Sequence, residues 1–535
     1  MDQALSGDGL AEGFAGSLYN RKNPHPSESM RDAGDARYRC GWIEDSITIH
    51  SDGNVSCGPN DPHGQRSFGN IYSQSVAEIF ANPEYANLQD KLWRGSQCLE
   101  CGQFRAETKP SAAINPRPHL PNRLMIETAV TCNIRCANAA CLPNNDPLMQ
   151  TRNANLLDFE KFKAAIDQVA PGIKTVVFFN YGEPFMHRRA EDMLLYLRAR
   201  CPQAFVVTST NGIPLHKPER ARKVVEAQLN RITFTIGGFT QESYERYHAR
   251  GRLDMALAGM RNVCTAKRDA GHSVPQVVWR YLVFDWNDSD REIDAAIAHA
   301  KEIGVDCFSL YLTNTPKEAR SIKFSPGSPS FWKYRGYIHL DDEGELNQIY
   351  KGELPDRSGL YQIKERPLLG PSRWTSSRAR FWLSRRNDEL WLALATNRQK
   401  SAARGERCIV YTAWGQYEVF ARHGGWRRAT IPVPPAFRAY NTFEVELEVP
   451  DCWYPAAETD AAKDLRCLGV LVKAEQAATA PTSPRALALP AGFDPLIWGQ
   501  NIAIPGGVAL YPERHARRPP TTSSAQTGGT SLRPQ

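Results

Sequence analysis

Residues 124–141 read LMIETAVTCNIRCANAAC, a short apolar run followed at once by Cys132, Cys136 and Cys141. The run has the length and composition of a buried strand, and the cysteines follow it in a polar loop. Thiolates are soft ligands suited to zinc, copper(I) and iron–sulfur clusters. A [4Fe–4S] cube held by only three of them keeps one iron open for another molecule. A zinc site completed by His119 or His187, or a set of buried thiols, is the competing reading of the same residues.

Outward from this loop, short apolar runs alternate with amphipathic ones. LMIETAV, KTVVFF, AFVVTS, RITFTI, VVWRYLVF and VDCFSLYL read as strands, and DFEKFKAAIDQVA places Phe159, Phe162, Ile166 and Val169 on one side of a helix. Six strand–helix repeats predict an α/β fold with a parallel sheet, whose chemistry lies in loops at the C-terminal strand ends. Upstream, Cys40, Cys57, Cys98 and Cys101 surround SVAEIFANPEYANLQDKLWRG, in which Val76, Ile79, Phe80, Leu88 and Leu92 recur at helical intervals. A CxxC with two distant cysteines suits zinc or an iron–sulfur cluster equally. Beyond Trp374 the period changes to two, predicting a β-sandwich-like domain or small barrel. Single cysteines elsewhere, Cys201, Cys264, Cys307, Cys408, Cys452 and Cys467, read as small buried hydrophobes.

These shifts divide the chain into a mobile arm (1–36), a four-cysteine module (37–108), a linker (109–122), the βα region (123–320), a connector (321–370), the β domain (371–478) and a low-complexity, disordered tail (479–535). The 535 residues exceed one ordinary core. Their 65 basic and 58 acidic side chains leave +7, too mild to argue for nucleic acid. No uncharged apolar stretch reaches the length of a membrane span, and no basic segment followed by an apolar run opens the chain. Thirteen cysteines, an odd number, fit metal or cluster ligation in a reducing compartment, so the expected location is cytoplasmic.

TCNIRC resembles the cluster-binding loop of radical S-adenosylmethionine (radical SAM) enzymes, whose three cysteines follow the first strand of a partial (βα)6 TIM-like barrel. NYGEPFMH is similar to the family's GGEP element, and STNG at Ser209–Gly212 to the segment that meets the ribose. The resemblance implies Cys132, Cys136 and Cys141 as ligands of a catalytic [4Fe–4S] cluster. It implies Tyr181, Gly182, Glu183 and Pro184 at the methionine amino group of S-adenosylmethionine, Ser209 and Asn211 at the ribose, and Arg280 at the carboxylate. Three positions depart from the pattern: four residues separate Cys136 from Cys141, Ala140 stands where an aromatic is usual, and Tyr181 where glycine is. The four upstream cysteines, with DGNVSC and CLEC, resemble a SPASM or twitch module, which implies a second, fully ligated [4Fe–4S] cluster on Cys40, Cys57, Cys98 and Cys101.

The implied activity is reductive cleavage of S-adenosylmethionine to a 5′-deoxyadenosyl radical, which takes hydrogen from a sugar or glycan-linked substrate or from a peptide. An external donor such as flavodoxin or ferredoxin is the implied partner. No general base or radical relay is assigned. The rival from another class is a non-catalytic binding protein whose clusters or zinc ions only hold a degenerate barrel together.

Overall fold

The computed structural model describes residues 37–489, leaving out 94–104, 108–119, 138–145, 340–354, 459–464, 477–485 and a few shorter stretches. The arm, residues 479–485 and 490–535 of the tail, Cys98, Cys101 and Cys141 therefore lie outside the described residues, as do His119 and Ala140.

The first part of the chain is built on one sheet. After β1 (Arg37–Arg39) come β2 (Ser46–Ile49), β3 (Asn54–Ser56) and β4 (Gly69–Asn70); β5 (Arg105–Glu107) pairs with β1. The six expected strands follow as β6 (Arg123–Ile126), β8 (Thr175–Val177), β9 (Phe205–Thr210), β10 (Arg231–Thr235), β12 (Gln276–Val283) and β13 (Cys307–Leu312). Two-residue strands β7 (Arg135–Cys136) and β11 (His248–Ala249) pair with each other apart from that sheet. The sheet order is β13-β12-β10-β9-β8-β6-β2-β3-β4. From β6 to β13 every neighbouring pair is parallel and sequential. Right-handed crossovers that never reverse direction keep the intervening helices on one face.

That face is the core. Val277, Trp279, Tyr281 and Val283 of β12 alternate with Gln276, Val278, Arg280 and Leu282, and the first set packs in the cluster shared with the helices. The Phe159–Val169 helix starts where the Asp158 carboxylate accepts the Lys161 N–H at 2.8 Å, and it buries Phe162, Ala165, Ile166 and Val169. Phe159 lies at the edge of this stripe, beneath the Arg189 guanidinium 3.5 Å from its ring centroid.

The four-cysteine module adds to this sheet. β2 runs parallel to β6, with Ile47 opposite Leu124 and Ile49 opposite Ile126, while β3 and β4 continue antiparallel. Val76, Ile79, Phe80, Leu88 and Leu92 are all buried in the same core as the βα helices. Ser75 and Glu78 form a reciprocal cap at the start of Val76–Phe80.

Among its described residues the connector holds one short helix, Pro329–Lys333, capped by Ser328. In the C-terminal part, β14 (Ser372–Trp374), β15 (Arg378–Arg386), β16 (Glu389–Thr396), β17 (Glu406–Thr412), β18 (Gly415–His423), β19 (Arg427–Pro432), β20 (Thr442–Glu448), β21 (Leu471–Lys473) and β22 (Ala486–Leu487) are mostly antiparallel. β16 carries β19 and β21; β15, β20, β17 and β18 form a second run. The two join where β15 meets β16 and β16 meets β18, over two residues each. Phe381, Leu392, Val410, Ile431, Val445 and Val472, from six different strands, share one core.

Three of the single cysteines differ from the buried-thiol expectation. Cys452 and Cys467 form a disulfide with Cα atoms 6.0 Å apart, because the Trp453–Leu468 bridge brings their segments side by side. Cys307 is half-buried because it begins β13 on the sheet face away from the helices. Cys201, Cys264 and Cys408 are buried as expected. Among the described residues no helix is long and apolar enough to cross a membrane.

Candidate functional site at the strand ends

The loops that leave the C-terminal ends of β6, β8, β9 and β10 meet in one place. Gly182, in the loop after β8, has φ +79° and lies so close to the loop after β6 that an added Cβ would stand 2.7 Å from the Val130 carbonyl carbon and collide with the Ala129 carbonyl. Only glycine fits there without strain. The approach lets the Glu183 N–H donate to the Thr131 carbonyl at 2.9 Å and the Thr128 hydroxyl donate to the Pro184 carbonyl at 3.0 Å.

Glu183 is 2% exposed, and its carboxylate is fully engaged. It accepts the Thr210 hydroxyl at 2.7 Å, the Asn211 N–H at 2.7 Å and the Phe185 N–H at 3.3 Å. Burial pushes its pKa up to about 7, against the lowering effect of those donors. The side chain thus ties the loop after β8 to the turn after β9. In that turn, Gly212 takes φ +84° and Ile213 N–H donates to the Asn211 side-chain oxygen at 3.0 Å. The Asn211 amide Nδ2 reaches Asn133 Oδ1 at 2.8 Å and Cys132 Sγ at 3.8 Å. Residues 79 apart in sequence, Cys132 and Asn211, are therefore joined through one amide, and Glu183 holds that amide's backbone.

Cys136 belongs to β7, directly opposite His248 of β11, and the Ala137 N–H donates to the Tyr247 carbonyl at 2.6 Å. Cys132 and Cys136 are both half-buried. Pro184 opens a short 3-10 turn and is buried; Tyr181 is half-buried, with burial and the nearby Glu127 and Asp61 carboxylates raising its phenol's pKa. Ser209 and Arg280 stand on the sheet face away from the helices, in register with Thr233 for Ser209 and with Thr235 and Ser309 for Arg280. The Arg280 guanidinium lies 5.3 Å from the Tyr311 ring centroid. Arg280 is not joined to the Glu183–Asn211–Cys132 set by any hydrogen bond among the described residues. In the module, Cys40 is buried and Cys57 half-buried against the shared core.

The sulfur donors at Cys132 and Cys136 fit an iron–sulfur cluster. His187, one of the two histidines able to complete a zinc site, has its Nε2 2.9 Å from the Leu157 carbonyl, and its Nδ1 accepts the Arg189 N–H at 3.0 Å. Both ring nitrogens are committed to backbone, which withdraws His187 as a zinc ligand; His119 lies outside the described residues. Sulfur is what the loop offers, as iron–sulfur ligation requires.

Several neighbours escaped the sequence reading. Glu127, fully buried at the end of β6, faces the Arg152 guanidinium at 3.1 Å and accepts from the Asn180 amide at 3.1 Å and the Ser51 N–H at 3.2 Å. Its parity with Met125, opposite to Leu124 and Ile126, was the available signal. Thr210 and Asn133 lie inside the STNG and TCNIRC segments but were given no role there, and His248 carried no signal.

Residues 126–296 match the model of the Radical SAM superfamily, and residues 40–102 that of an iron–sulfur cluster-binding domain, SPASM. Among curated proteins, Fe-coproporphyrin III synthase of Methanosarcina barkeri (strain Fusaro / DSM 804) is 28% identical over 131 residues, 24% of this chain and 31% of that protein. GTP 3′,8-cyclase of Mycobacterium sp. (strain KMS) is 31% identical over 152 residues, 28% of this chain and 40% of that protein. The chain thus spans well under half the length of either relative. Among solved structures, Streptococcus suis SuiB bound to S-adenosylmethionine is 12% identical, with a TM-score of 0.27 over 52% of this chain and 62% of that one.

Proposed function

Since the chain carries a radical SAM domain at 126–296 and a SPASM domain at 40–102, we propose that it is a radical SAM enzyme acting on a sugar, a glycan-linked molecule or a peptide. The observation that carries this reading is the junction of Cys132, Asn211 and Glu183 at the strand ends. Cys132, Cys136 and Cys141 would hold the open [4Fe–4S] cluster, and Cys40, Cys57, Cys98 and Cys101 the second one. When bound, the open cluster and S-adenosylmethionine supply a one-electron cleavage that gives methionine and a 5′-deoxyadenosyl radical, the hydrogen-abstracting species.

The protein's own part is positioning. The Tyr181–Pro184 turn is the assigned site of the methionine amino group, Ser209 and Asn211 of the ribose, and Arg280 of the carboxylate. Glu183 keeps the first two registered with the cysteine loop, because its carboxylate accepts from Thr210 and Asn211 while its own N–H donates to the Thr131 carbonyl. Ser209, Thr233, Thr235, Arg280, Ser309 and Tyr311 make the inner sheet face polar, which supports a hydroxyl-rich substrate. The sheet without reversal supports a partial (βα)6 barrel, and the two facing β runs a sandwich-like accessory domain. A cytoplasmic location and a flavodoxin- or ferredoxin-type donor complete the proposal.

The test is anaerobic incubation of the reconstituted protein with dithionite and S-adenosylmethionine, followed by quantifying 5′-deoxyadenosine. Cys132→Ala abolishes its release, while Cys264→Ala, altered in a helix core, retains it. Equal release from the two variants overturns the assignment.

A further inference from the structure

His248 sits in the loop between β10 and β12, 112 residues from Cys136 in sequence, yet directly opposite it in the β7–β11 pair. The imidazole is 2% exposed and lies between two tyrosine rings, Tyr244 at 4.8 Å and Tyr247 at 4.9 Å between centroids. Its two nitrogens face different partners. Nε2 lies 3.2 Å from the backbone N–H of Gly237, which can only donate, so Nε2 carries a lone pair. The ring's single proton is then on Nδ1, and Nδ1 lies 3.4 Å from Cys136 Sγ. The Gly237 N–H thereby selects the tautomer, and the tyrosines and the two-residue ladder hold the ring's direction.

We propose that His248 is a positioning residue for the three-cysteine cluster: its Nδ1–H donates to the Cys136 sulfur and raises the cluster's reduction potential. The inference rests on the reading of Cys136 as a cluster ligand. An N–H directed at a ligating sulfur withdraws electron density and favours the reduced state, which carries one more electron. In a buried setting this donor has no water to replace it. His248 also couples the cysteine loop to the segment after β10, so the same contact orients the Cys136 side chain.

The experiment is a redox titration of the full, anaerobically reconstituted chain, following the electron paramagnetic resonance signal that added S-adenosylmethionine perturbs, which separates the open cluster from the auxiliary one. His248→Phe keeps an aromatic ring without the donor; at a fixed potential its ratio of reduced to oxidised cluster is expected to fall by about threefold to tenfold, the worth of one hydrogen bond. His248→Asn presents an amide N–H near the Nδ1 position and is expected to stay within about twofold of the parent. An unchanged potential in His248→Phe overturns the inference, and so does an Asn variant that falls as far as the Phe variant, since loosened packing would then suffice. Should the Phe variant assemble no cluster, the Asn variant decides alone: a parent-like potential supports the donor, a lowered one overturns it. Cys136→Ala separates the two layers of the argument. Persistence of the perturbed signal there overturns the ligand reading and this inference together; its loss, with an unchanged potential in His248→Phe, overturns this inference only.

Discussion

Single residues at the strand ends are held by buried charge as much as by apolar packing. Glu127 is the clearest case. Full burial by itself would raise its pKa, yet the His50 imidazole, the Arg152 charge and the Ser51 N–H together bring it below the usual carboxylate range. A carboxyl depressed on folding contributes stability above its unfolded value of about 4.3, and that stability is lost as pH falls through the lower folded value. Arg152→Ala removes one of the lowering groups and leaves a buried carboxylate short of its partner. Thermal unfolding at neutral pH is expected to show a loss of about 3–5 kcal/mol, and the acid limb of the stability profile to begin at higher pH than in the parent. A variant matching the parent in both respects would mean that Glu127 is already compensated by Asn180 and Ser51.

Among the elements, the Leu253–Asp269 helix decides where the Asn211–Gly212 turn can sit. Gly259 faces that turn, and an added Cβ would stand 3.0 Å from the Gly212 carbonyl carbon and collide with its oxygen. Two expectations for Gly259→Ala compete. Helix propensity alone favours alanine by about 1 kcal/mol. The collision is with backbone, however, so relieving it requires the helix or the turn to move, an overpacking cost of about 1–3 kcal/mol. Displacement wins on these magnitudes, so the variant is expected to melt lower and, with the cluster assembled, to bind S-adenosylmethionine more weakly by titration calorimetry. Raised thermal stability with parent affinity would show that the helix yields freely.

At the scale of the whole molecule, the four-cysteine module and the βα region share one sheet and one core, whereas the β domain has a core of its own. The β domain attaches to the connector through specific contacts: the Cys467 N–H to the Pro326 carbonyl at 3.1 Å, Ser377 N–H to the Gly327 carbonyl at 2.9 Å and the Trp332 indole N–H to the Ser376 hydroxyl at 3.0 Å. A chain beginning at Lys109 would lose β2, uncover the β6 edge and strip the partners of Leu124 and Ile126. Such an edge invites pairing with other chains. Expressed this way, the protein is expected in the insoluble fraction, and a soluble product with a cooperative melt would show that the module is separable.

Periodicity determined much of this from sequence alone. The six parallel strands, the helix stripe of Phe162, Ile166 and Val169, and the strand alternation of the β domain each follow from which side chains must leave water, a local property with a fixed repeat. The cysteine loop, Gly182 and Asn211–Gly212 were legible through their resemblance to a family's motifs, and the left-handed backbone at Gly182 and Gly212 supplies the physical reason for glycine there. Only the tertiary structure decided the pairings between distant segments. β2 beside β6, His248 opposite Cys136, Arg152 on Glu127 and Cys452 bonded to Cys467 all depend on register set by the entire sheet or domain. A buried polar group is stable only with its partner in place, and no local pattern of residues records which distant partner that will be.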